Sequence, residues 1–392
     1  MNGSNLSRCA ISYCVAATLL AGCGGSQQSV GVPATNAVAP AQVPARRPTK
    51  AEWERWSSMI QRVPDPGHGC LVARYPERQW REITCGKAPD VPLLPAYVRP
   101  PGVRPPRVGG GGQEYFADPI GGHTTAAQGW FHNIAGVKSE YSVGTTSHAT
   151  DYYSLQVNTN AFKTPVCADY GGPNPNCEGW EQFVFTNQGD TSDGSLFIQY
   201  WLINYGPCGS STCTDDCPSG WQGVKGLGKN EMSCFRNSNN ADDVQSEPIV
   251  FGLTNFRISG ASAERSSTSD YVTLSVTGSG FYKVYGDNLF PNLSAHWLST
   301  EFGVFGDYNG NEAIFNTGST IGVRLAVTTV NGTTEKPVCS PNQKYGGIVT
   351  AESNNLSMAK TSSKWPIKNW PAIVFTESTN GKNANCATVP GM

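Results

Sequence analysis

Carboxylates, carboxamides and aromatic residues are concentrated between Cys177 and Cys217, which makes this stretch the first candidate for catalytic or binding chemistry. A carboxylate can act as a general base on water, and an amide N–H can stabilise the oxyanion that forms when a carbonyl is attacked. The side chains here that suit these roles are Glu178, Gln182 and Gln199. Aromatic neighbours would shape a groove and would raise a carboxyl pKa by desolvation.

Two strands joined by a turn are predicted to position these side chains. Trp180–Asn187 and Ser195–Tyr205 are rich in β-branched and aromatic residues, and residues 188–194 have turn composition. Alternation along the second strand predicts a core face of Leu196, Ile198, Tyr200 and Leu202. The opposite face carries Phe197, Gln199, Trp201, Ile203 and Tyr205.

Pairing of the two strands would place Gln182, Gln199 and Trp201 on one surface. That surface is either a ligand groove or the aromatic-rich outer face of a plain sandwich. In the first interpretation, the side chains that contact the substrate are Trp180, Gln199, Trp201 and Tyr205.

A second cluster, Ala295–Phe302, completes an order of motifs that resembles the glutamic peptidases. Compared with the eqolisin type, Gln182 stands at the glutamine position, and the further matches are Trp201, Ala295, Trp297 and Phe302. His296 and Thr300 stand where that type has glutamates, and Glu301 aligns after a shift of one residue.

The neprosin type of glutamic peptidase provides a second partial match. Its motif order is similar to Glu178-Gly179-Trp180, then Leu196-Phe197 with Tyr200-Trp201, then Cys217-Pro218 with Gly220-Trp221. The resemblance covers about residues 177–315. It implies a β-sandwich enzyme of the secretory space in which a glutamate activates water and a glutamine or second glutamate stabilises the intermediate. On this basis Glu301 is the expected base, Gln182 the oxyanion donor and Glu178 the alternative base.

The alternative function is a non-catalytic module that binds carbohydrate or cell-wall material by stacking on tryptophan and tyrosine. A glutamate carboxyl within hydrogen-bond or one-water reach of a glutamine or glutamate in a cleft favours the enzyme. A cleft of aromatic and amide side chains without such a pair favours the binding module. The ligand is accordingly a polypeptide or a glycan.

The N-terminus predicts export. Arg8 precedes an apolar run, Cys9–Leu20, which is too short to be a stable membrane span. The following Leu20-Ala21-Gly22-Cys23 resembles the bacterial lipoprotein signal, which implies cleavage after residue 22 and lipidation of Cys23. The alternative is an ordinary secretory signal. We expect a protein that is lipid-anchored in the cell envelope, at the outer membrane of a Gram-negative host, or else secreted.

Cysteine usage agrees with an exported protein. Of 13 cysteines, Cys9 and Cys14 lie in the signal and Cys23 is the lipidation site, so ten remain. An even number in an exported chain predicts five disulfides. The expected pairs are Cys70–Cys85, Cys167–Cys177 and Cys339–Cys386, with Cys208, Cys213, Cys217 and Cys234 paired among themselves.

The domain organisation follows from changes in composition. Residues 1–22 are the predicted signal peptide, 23–48 a disordered tether, 49–88 a small helical module pinned by a disulfide, 89–112 a Pro/Gly linker and 113–392 a β domain. In the module, Thr49 and Glu52 form a capping box before apolar residues at helical spacing. The small module acts as a propeptide or regulatory piece if the chain is a peptidase.

The fold class predicted for residues 113–392 is mainly β, an antiparallel β-sandwich of jelly-roll or concanavalin-like type. Short alternating runs separated by turn residues continue to the C-terminus, and long helical patterns are scarce. Ser319–Val330 shows the alternation most clearly.

Composition and motifs also bear on whether the chain binds nucleic acid, a cofactor or a metal ion. With 15% charged residues and a net charge of -2, the chain has no basic field for nucleic acid. No cofactor and no metal is expected. Asp307–Glu312 has the oxygen spacing of a calcium loop, but Asp, Asn and Gly are also ordinary turn formers. Turns are likewise preferred over ligand sites for Thr350–Leu356 and Phe375–Ser378.

Overall fold

The computed structural model describes residues 47–97, 108–109, 114–144, 149–169, 174–189, 193–207, 217–228, 230–263, 269–330, 334–341, 347–361, 371–382 and 385–389. From Arg47 onward the chain forms one compact unit. The predicted signal peptide, Cys23, the tether as far as Arg46, Cys208 and Cys213 lie outside the described residues.

Strands make up most of the described structure. The helices are α1 (Lys50–Ile60), α2 (Val166–Asp169) and α3 (Ile249–Asn255), with a 3-10 turn at Leu293–Ala295. The strands are β1 (Cys70–Arg74), β2 (Arg81–Ile83), β3 (Pro95–Tyr97), β4 (Val108–Gly109), β5 (Phe116–Asp118), β6 (Thr124–Ala135), β7 (Glu140–Val143), β8 (Ala149–Thr150), β9 (Tyr152–Asn158), β10 (Glu178–Gln188), β11 (Asp193–Pro207), β12 (Gln222–Lys225), β13 (Glu231–Asn237), β14 (Asp242–Gln245), β15 (Phe256–Ala261), β16 (Tyr271–Val276), β17 (Gly280–Tyr285), β18 (Glu301–Gly306), β19 (Glu312–Phe315), β20 (Thr320–Thr329), β21 (Thr334–Glu335), β22 (Val338–Ser340), β23 (Ile348–Thr350), β24 (Ser353–Asn354), β25 (Ser357–Ala359), β26 (Ala372–Ser378) and β27 (Ala387–Val389).

Two large antiparallel sheets form a β-sandwich, as the sequence predicted. The larger sheet has eleven strands in the order β2-β1-β17-β16-β15-β6-β20-β26-β25, with β21 beside β20 and β27 beside β26. The smaller sheet has seven strands in the order β12-β13-β11-β10-β9-β18, with β14 beside β11. Three small sheets, β4-β24-β19-β7-β8, β22-β5 and β23-β3, complete the fold.

The core lies between the apolar faces of the two large sheets. The predicted core face of β11, formed by Leu196, Ile198, Tyr200 and Leu202, is buried there, and so are Ile258 and Leu274 of the larger sheet. The faces interdigitate closely at two glycines. A Cβ on Gly129 would lie 2.2 Å from the Phe302 ring, and one on Gly260 would lie 2.1 Å from the Phe183 ring. Glycine is therefore required for this sheet-to-sheet distance.

Helix α1 begins at the predicted capping box. The Glu52 amide N–H donates to the Thr49 hydroxyl at 3.3 Å, and the Thr49 amide N–H donates to the Glu52 carboxylate at 2.8 Å. Trp53 and Trp56 are buried against Phe281 of β17, with ring centroids 5.9 Å and 5.7 Å away. This contact provides the partner surface that two tryptophans on a short helix require.

The domain boundaries differ from the prediction on two points. Residues 49–88 are not a separate module, because β1 pairs with β17 along its whole length and extends the larger sheet. Residues 89–97, predicted as the start of a linker, lie across the smaller sheet instead; we call this segment the strap. Its backbone hydrogen bonds, described below, hold it there, which composition alone did not predict.

Four disulfides lie in the described residues: Cys70–Cys85, Cys167–Cys177, Cys217–Cys234 and Cys339–Cys386. The first, second and fourth confirm the predicted pairs. Disulfides form and persist in oxidising compartments, so they indicate an extracytoplasmic location. In the described residues, no helix combines the length and apolar composition needed to cross a membrane.

Candidate active site

One row of polar side chains crosses the smaller sheet, on the face turned away from the core. The register pairs Glu301 with Asn158, Asn158 with Gln182, Gln182 with Gln199, and Gln199 with Asn237. Directly paired residues point to the same face, so the row runs from β18 through β9, β10 and β11 to β13. The first four side chains are fully buried. We call this set the amide row.

Hydrogen bonds link the Glu301 end of the amide row to Gln182. The Asn158 side-chain amide donates to Glu301 Oε2 at 2.7 Å and contacts Gln156 Oε1 at 3.2 Å. The Gln182 side-chain amide donates to the same Gln156 oxygen at 3.1 Å. Glu301 and Gln182 therefore belong to one connected network, although strand β9 lies between them.

The Trp201 indole sets the orientation of Gln182. Its N–H donates to Gln182 Oε1 at 2.8 Å and to Gln199 Oε1 at 3.0 Å. Because the Gln182 oxygen is held on the Trp201 side, its NH₂ group points across the sheet toward β9 and the Glu301 end. Its second N–H is a donor that the bond to Gln156 does not use. Oxyanion stabilisation requires an N–H donor of this chemical type.

The Glu301 carboxyl lies in an environment that disfavours its charged form. Burial raises its pKa well above the ordinary glutamate value, and the charges of Glu114 and Glu352 act in the same direction. Hydrogen bonds from Asn158 and from the Thr350 amide N–H act in the opposite direction. Within the described residues, Glu301 Oε1 has no hydrogen-bond partner. The cover thus favours the protonated form of the Glu301 carboxyl and leaves its Oε1 atom without a hydrogen bond.

The strap covers the Gln199 end of the amide row through its backbone. The Leu93 amide N–H donates to Gln199 Oε1 at 2.7 Å, and the Gln199 side-chain amide donates to the Val91 carbonyl at 3.0 Å. The Asn237 side-chain amide donates to the Pro89 carbonyl at 2.5 Å. Carboxamides of the row therefore recognise an extended main chain, independent of its side chains.

Strands β3 and β23 cover the Glu301 end. β3 is the last part of the strap and pairs with β23, and the Thr350 amide N–H of β23 donates to Glu301 Oε2 at 3.2 Å. The buried Glu352 carboxylate fixes this cover by accepting from the Leu94 and Gly310 amides at 2.9 Å and 2.8 Å. Burial raises the pKa of Glu352 to about 7.

One strap side chain is anchored in an apolar pocket beside the amide row. Leu93 is fully buried among Val184, Phe197, Ala88 and Ala241. Removing a buried leucine side chain costs roughly 2–5 kcal/mol. Leu93 is therefore the position at which a substitution releases the strap most directly.

The predicted substrate-contacting aromatics are buried under this cover. The Trp180 and Trp201 rings lie 6.5 Å apart, and Trp201 lies 5.3 Å from Phe235 on the next strand. The Trp180 indole donates to the Thr159 carbonyl at 2.8 Å. Gln182, Gln199 and Trp201 do share one surface, as predicted, but the strap occupies that surface.

Tyr205 departs from the predicted alternation. Asn204 has φ 51°, and the β11–β13 register shifts between Leu202 and Gly206. The resulting bulge moves Tyr205 into the main core cluster rather than onto the amide-row face.

Glu178, the alternative base, lies at the start of β10 opposite Ile203. Its carboxylate is partly exposed and lies 3.6 Å from Lys163 Nζ. Glu178 therefore lies at the end of β10, outside the hydrogen-bonded network of Gln182 and Glu301. Of the two candidate bases, Glu301 is the one that belongs to the amide row.

Several members of the site were not identified from the sequence. Asn158, Gln156 and Asn237 join the row, while Glu352 and Glu114 influence Glu301. A signal for the first two was present, because polar residues alternate with Leu155 and Val157 along β9. The position of Glu352 depends on the β3–β23 pairing, which no local pattern predicts.

The Asp307 carboxylate of the Asp307–Glu312 segment is held by one hydrogen bond within the segment and one from β7. Asp307 Oδ1 accepts from the Ser142 hydroxyl at 2.6 Å and from the Asn311 side-chain amide at 2.8 Å. Across the part of the chain that the structure describes, no group of three or more His, Cys, Asp or Glu side chains is placed to hold a metal ion.

No family model, curated protein or solved structure matches the chain, so its site is interpreted from its own geometry.

Proposed function

We propose that this protein is a glutamic-type acid endopeptidase, present here in a latent form whose cleft is filled by its own strap. The observation that carries the proposal is the amide row itself. A glutamate carboxyl with one free oxygen shares a hydrogen-bonded network with carboxamides, and these already bind an extended main chain. Extended polypeptide is therefore the substrate class.

Opening of the cover would make Glu301 a base. Water entering the site hydrates the carboxylate, and the pKa of Glu301 falls toward the ordinary glutamate value. A water molecule then attacks the scissile carbonyl carbon while its proton moves to Glu301. The same proton passes to the leaving amine nitrogen as the C–N bond breaks.

Gln182 would stabilise the oxyanion formed by this attack. The Trp201 indole holds its oxygen, and its NH₂ group, which lies on the β9 side, has one N–H that the bond to Gln156 does not use. A preorganised donor of this kind contributes about 3–4 kcal/mol to transition-state stabilisation in acyl transfer. Asn158 is a positioning residue, because its amide holds the Glu301 carboxyl.

The location we propose is the bacterial cell envelope. The disulfides require an oxidising compartment, and Cys23 is proposed to carry the lipid that anchors the chain, at the outer membrane in a Gram-negative host. Its substrates would then be unfolded or extended polypeptides that reach this surface.

The test compares three full-length proteins on an unfolded protein substrate from about pH 3 to pH 8. Wild type should be nearly inactive, and Leu93→Asp should cleave the substrate because a buried carboxylate expels the strap. Leu93→Asp combined with Glu301→Gln keeps the open strap but lacks the base, and should be inactive. If Leu93→Asp is inert while hydrogen exchange shows the strap released, the peptidase is excluded and the non-catalytic binding module is the better interpretation.

A further inference from the structure

A groove lies on the other large sheet, on the face turned away from the core. Strands β6, β15, β16 and β20 supply its floor, and Gln61, Trp80 and Phe281 contribute to its wall. Its cavity volume is about 180 Å³, and the groove is open to solvent along its mouth. The amide row belongs to the smaller sheet, so this groove is independent of the proposed peptidase site.

Small side chains make this face concave. The floor residues with short side chains are Ala126, Ala261, Ala326, Ser259, Ser275, Thr273 and Thr328. The register places Lys283, Thr273, Ser259, Gln128 and Ala326 in one row across five strands. Within it, the Gln128 side-chain amide donates to the Ser259 hydroxyl at 2.9 Å, which leaves the Gln128 oxygen as an acceptor.

An aromatic wall stands at one end of the groove and is held rigidly. Lys283 Nζ lies 4.6 Å from the Trp80 ring centroid and 4.8 Å from the Tyr271 ring centroid. The same ammonium group lies 2.7 Å from the Asp65 carboxylate. The charge of Lys283 is thus neutralised, while Trp80 and Tyr271 remain half-buried as stacking surfaces.

A second cation, Arg257, lines the same groove, and the charge of Glu54 acts on it from beyond ion-pair distance. Arg257 is exposed, and within the described residues no carboxylate lies within ion-pair distance of its guanidinium group. Its guanidinium carbon lies 5.6 Å from the Trp130 ring centroid, a contact that orients the group. The groove lining contains no acidic residue, and Lys283 is already paired with Asp65, so Arg257 is the lining cation that suits an anion.

The chemistry of the floor selects among anionic ligands. The N–H and C=O groups of these inner strands pair within the sheet, so an added peptide strand finds no backbone partners. Closely spaced hydroxyl and amide side chains match a polyol instead, and a sugar ring stacks on tryptophan or tyrosine through its C–H face. We infer that this groove binds a saccharide bearing a carboxylate, with the ring against Trp80 and Tyr271 and the carboxylate at Arg257.

The experiment titrates the full chain with a trisaccharide of galacturonic acid and, separately, with the neutral galactose trisaccharide, by isothermal calorimetry. The acidic sugar should bind more tightly. Arg257→Gln should weaken its binding roughly tenfold or more and leave the neutral sugar unchanged, because a charge-assisted pair is lost. Arg55→Gln, an exposed arginine outside the groove, is the matched control and should bind both sugars as wild type does.

Two further variants make the outcome decisive. Tyr271→Ala should weaken both sugars, because stacking does not depend on the carboxylate. Glu301→Gln should leave both affinities unchanged, so a failed peptidase proposal does not affect this one. The inference is overturned if neither sugar binds saturably, if Arg257→Gln retains the preference for the acidic sugar, or if Arg55→Gln loses as much affinity as Arg257→Gln.

Discussion

The Asn158 side-chain amide donates a 2.7 Å hydrogen bond to the Glu301 carboxyl, and the two residues face each other directly across β9 and β18. This pair fixes the carboxyl at one end of a row of carboxamides. The strap lies over the other end, with its main chain bonded to Gln199. The same arrangement thus explains both how the site would act and why it is closed in this structure.

Glu301→Gln should abolish peptidase activity in the strap-open Leu93→Asp background. Glutamine keeps the shape and can still accept from Asn158, but it cannot take a proton from water at any working pH. Initial rates on an unfolded protein measure the effect, with Glu178→Gln in the same background as the control. Loss of activity in the control with retention in Glu301→Gln would assign the base to Glu178 instead.

Gln182→Ala should lower kcat about a hundred-fold or more in the same background, with a smaller change in KM. The substitution removes one donor to the oxyanion, and that donor acts mainly in the transition state. Gln182→Glu is a useful companion, because the side chain still accepts from Trp201 but has lost its N–H donors. An unchanged kcat in Gln182→Ala would remove this residue from the oxyanion site.

The sequence predicted the sandwich, the core face of β11 and the shared surface of Gln182, Gln199 and Trp201 because these follow from local alternation. It missed the bulge at Asn204, since a single positive φ value reverses the alternation without a composition signal. The sequence also did not predict that β1 pairs with β17. The paired residues Cys70 and Val284 are more than 200 residues apart, and local patterns carry no information on such a contact.

The position of the strap could not be predicted from the sequence either, because it also depends on contacts between residues that are distant along the chain. Its proline-rich composition is typical of a linker, and proline does fit an extended chain. What holds it in place is the set of backbone bonds to Gln199, Asn237 and Glu352. These three side chains come together only after distant strands have paired. Local sequence patterns therefore predict only that each lies in a sheet or a turn.

Cys23→Ser should give a protein without lipid. The expected result follows from the Leu20-Ala21-Gly22-Cys23 motif, because acylation requires the cysteine thiol and several acyl chains are needed for durable anchoring. Metabolic labelling with a fatty acid and membrane fractionation measure it, with Cys14→Ser as the matched control. A wild type that carries no label would exclude the lipoprotein.

Opening of the cover should increase as pH rises from about 4.5 to 7. Burial raises the pKa of Glu352 to about 7 in the covered state, and exposure to water on opening would return it toward the ordinary value. The covered state therefore binds more protons in this window, so protonation stabilises it and its stability falls as pH rises through the folded pKa. Hydrogen exchange of the Leu94 amide, corrected for intrinsic rates, measures the opening.

Glu352→Gln should weaken this pH dependence by the contribution of one group, because glutamine does not titrate, whereas Glu301 under the same cover still does. Gln245→Glu adds a carboxylate at an exposed strand position remote from the cover and is the control. Greater protection of the Leu94 amide at pH 7 than at pH 5 in wild type would contradict the assignment of the cover to this carboxyl.

Glu181→Gln should stabilise the fold at neutral pH. Glu181 is fully buried, and in the described residues neither of its carboxyl oxygens has a hydrogen-bond partner. Burial raises its pKa well above the ordinary value, and the charge of Asp270, another buried carboxyl, acts in the same direction. In the folded state the Glu181 carboxyl therefore keeps its proton to a higher pH. In the unfolded state it loses the proton above the ordinary glutamate pKa.

The free energy of unfolding should fall as pH rises above the unfolded pKa, with a slope of about 1.4 kcal/mol per pH unit for each such group. Urea unfolding at pH 5 and pH 7 measures this slope. Glu181→Gln should reduce it by one group's contribution, whereas Glu178→Gln, three residues away and partly exposed, should leave it unchanged. A Glu181→Gln variant with the wild-type slope would show that this carboxyl is already ionised in the folded protein.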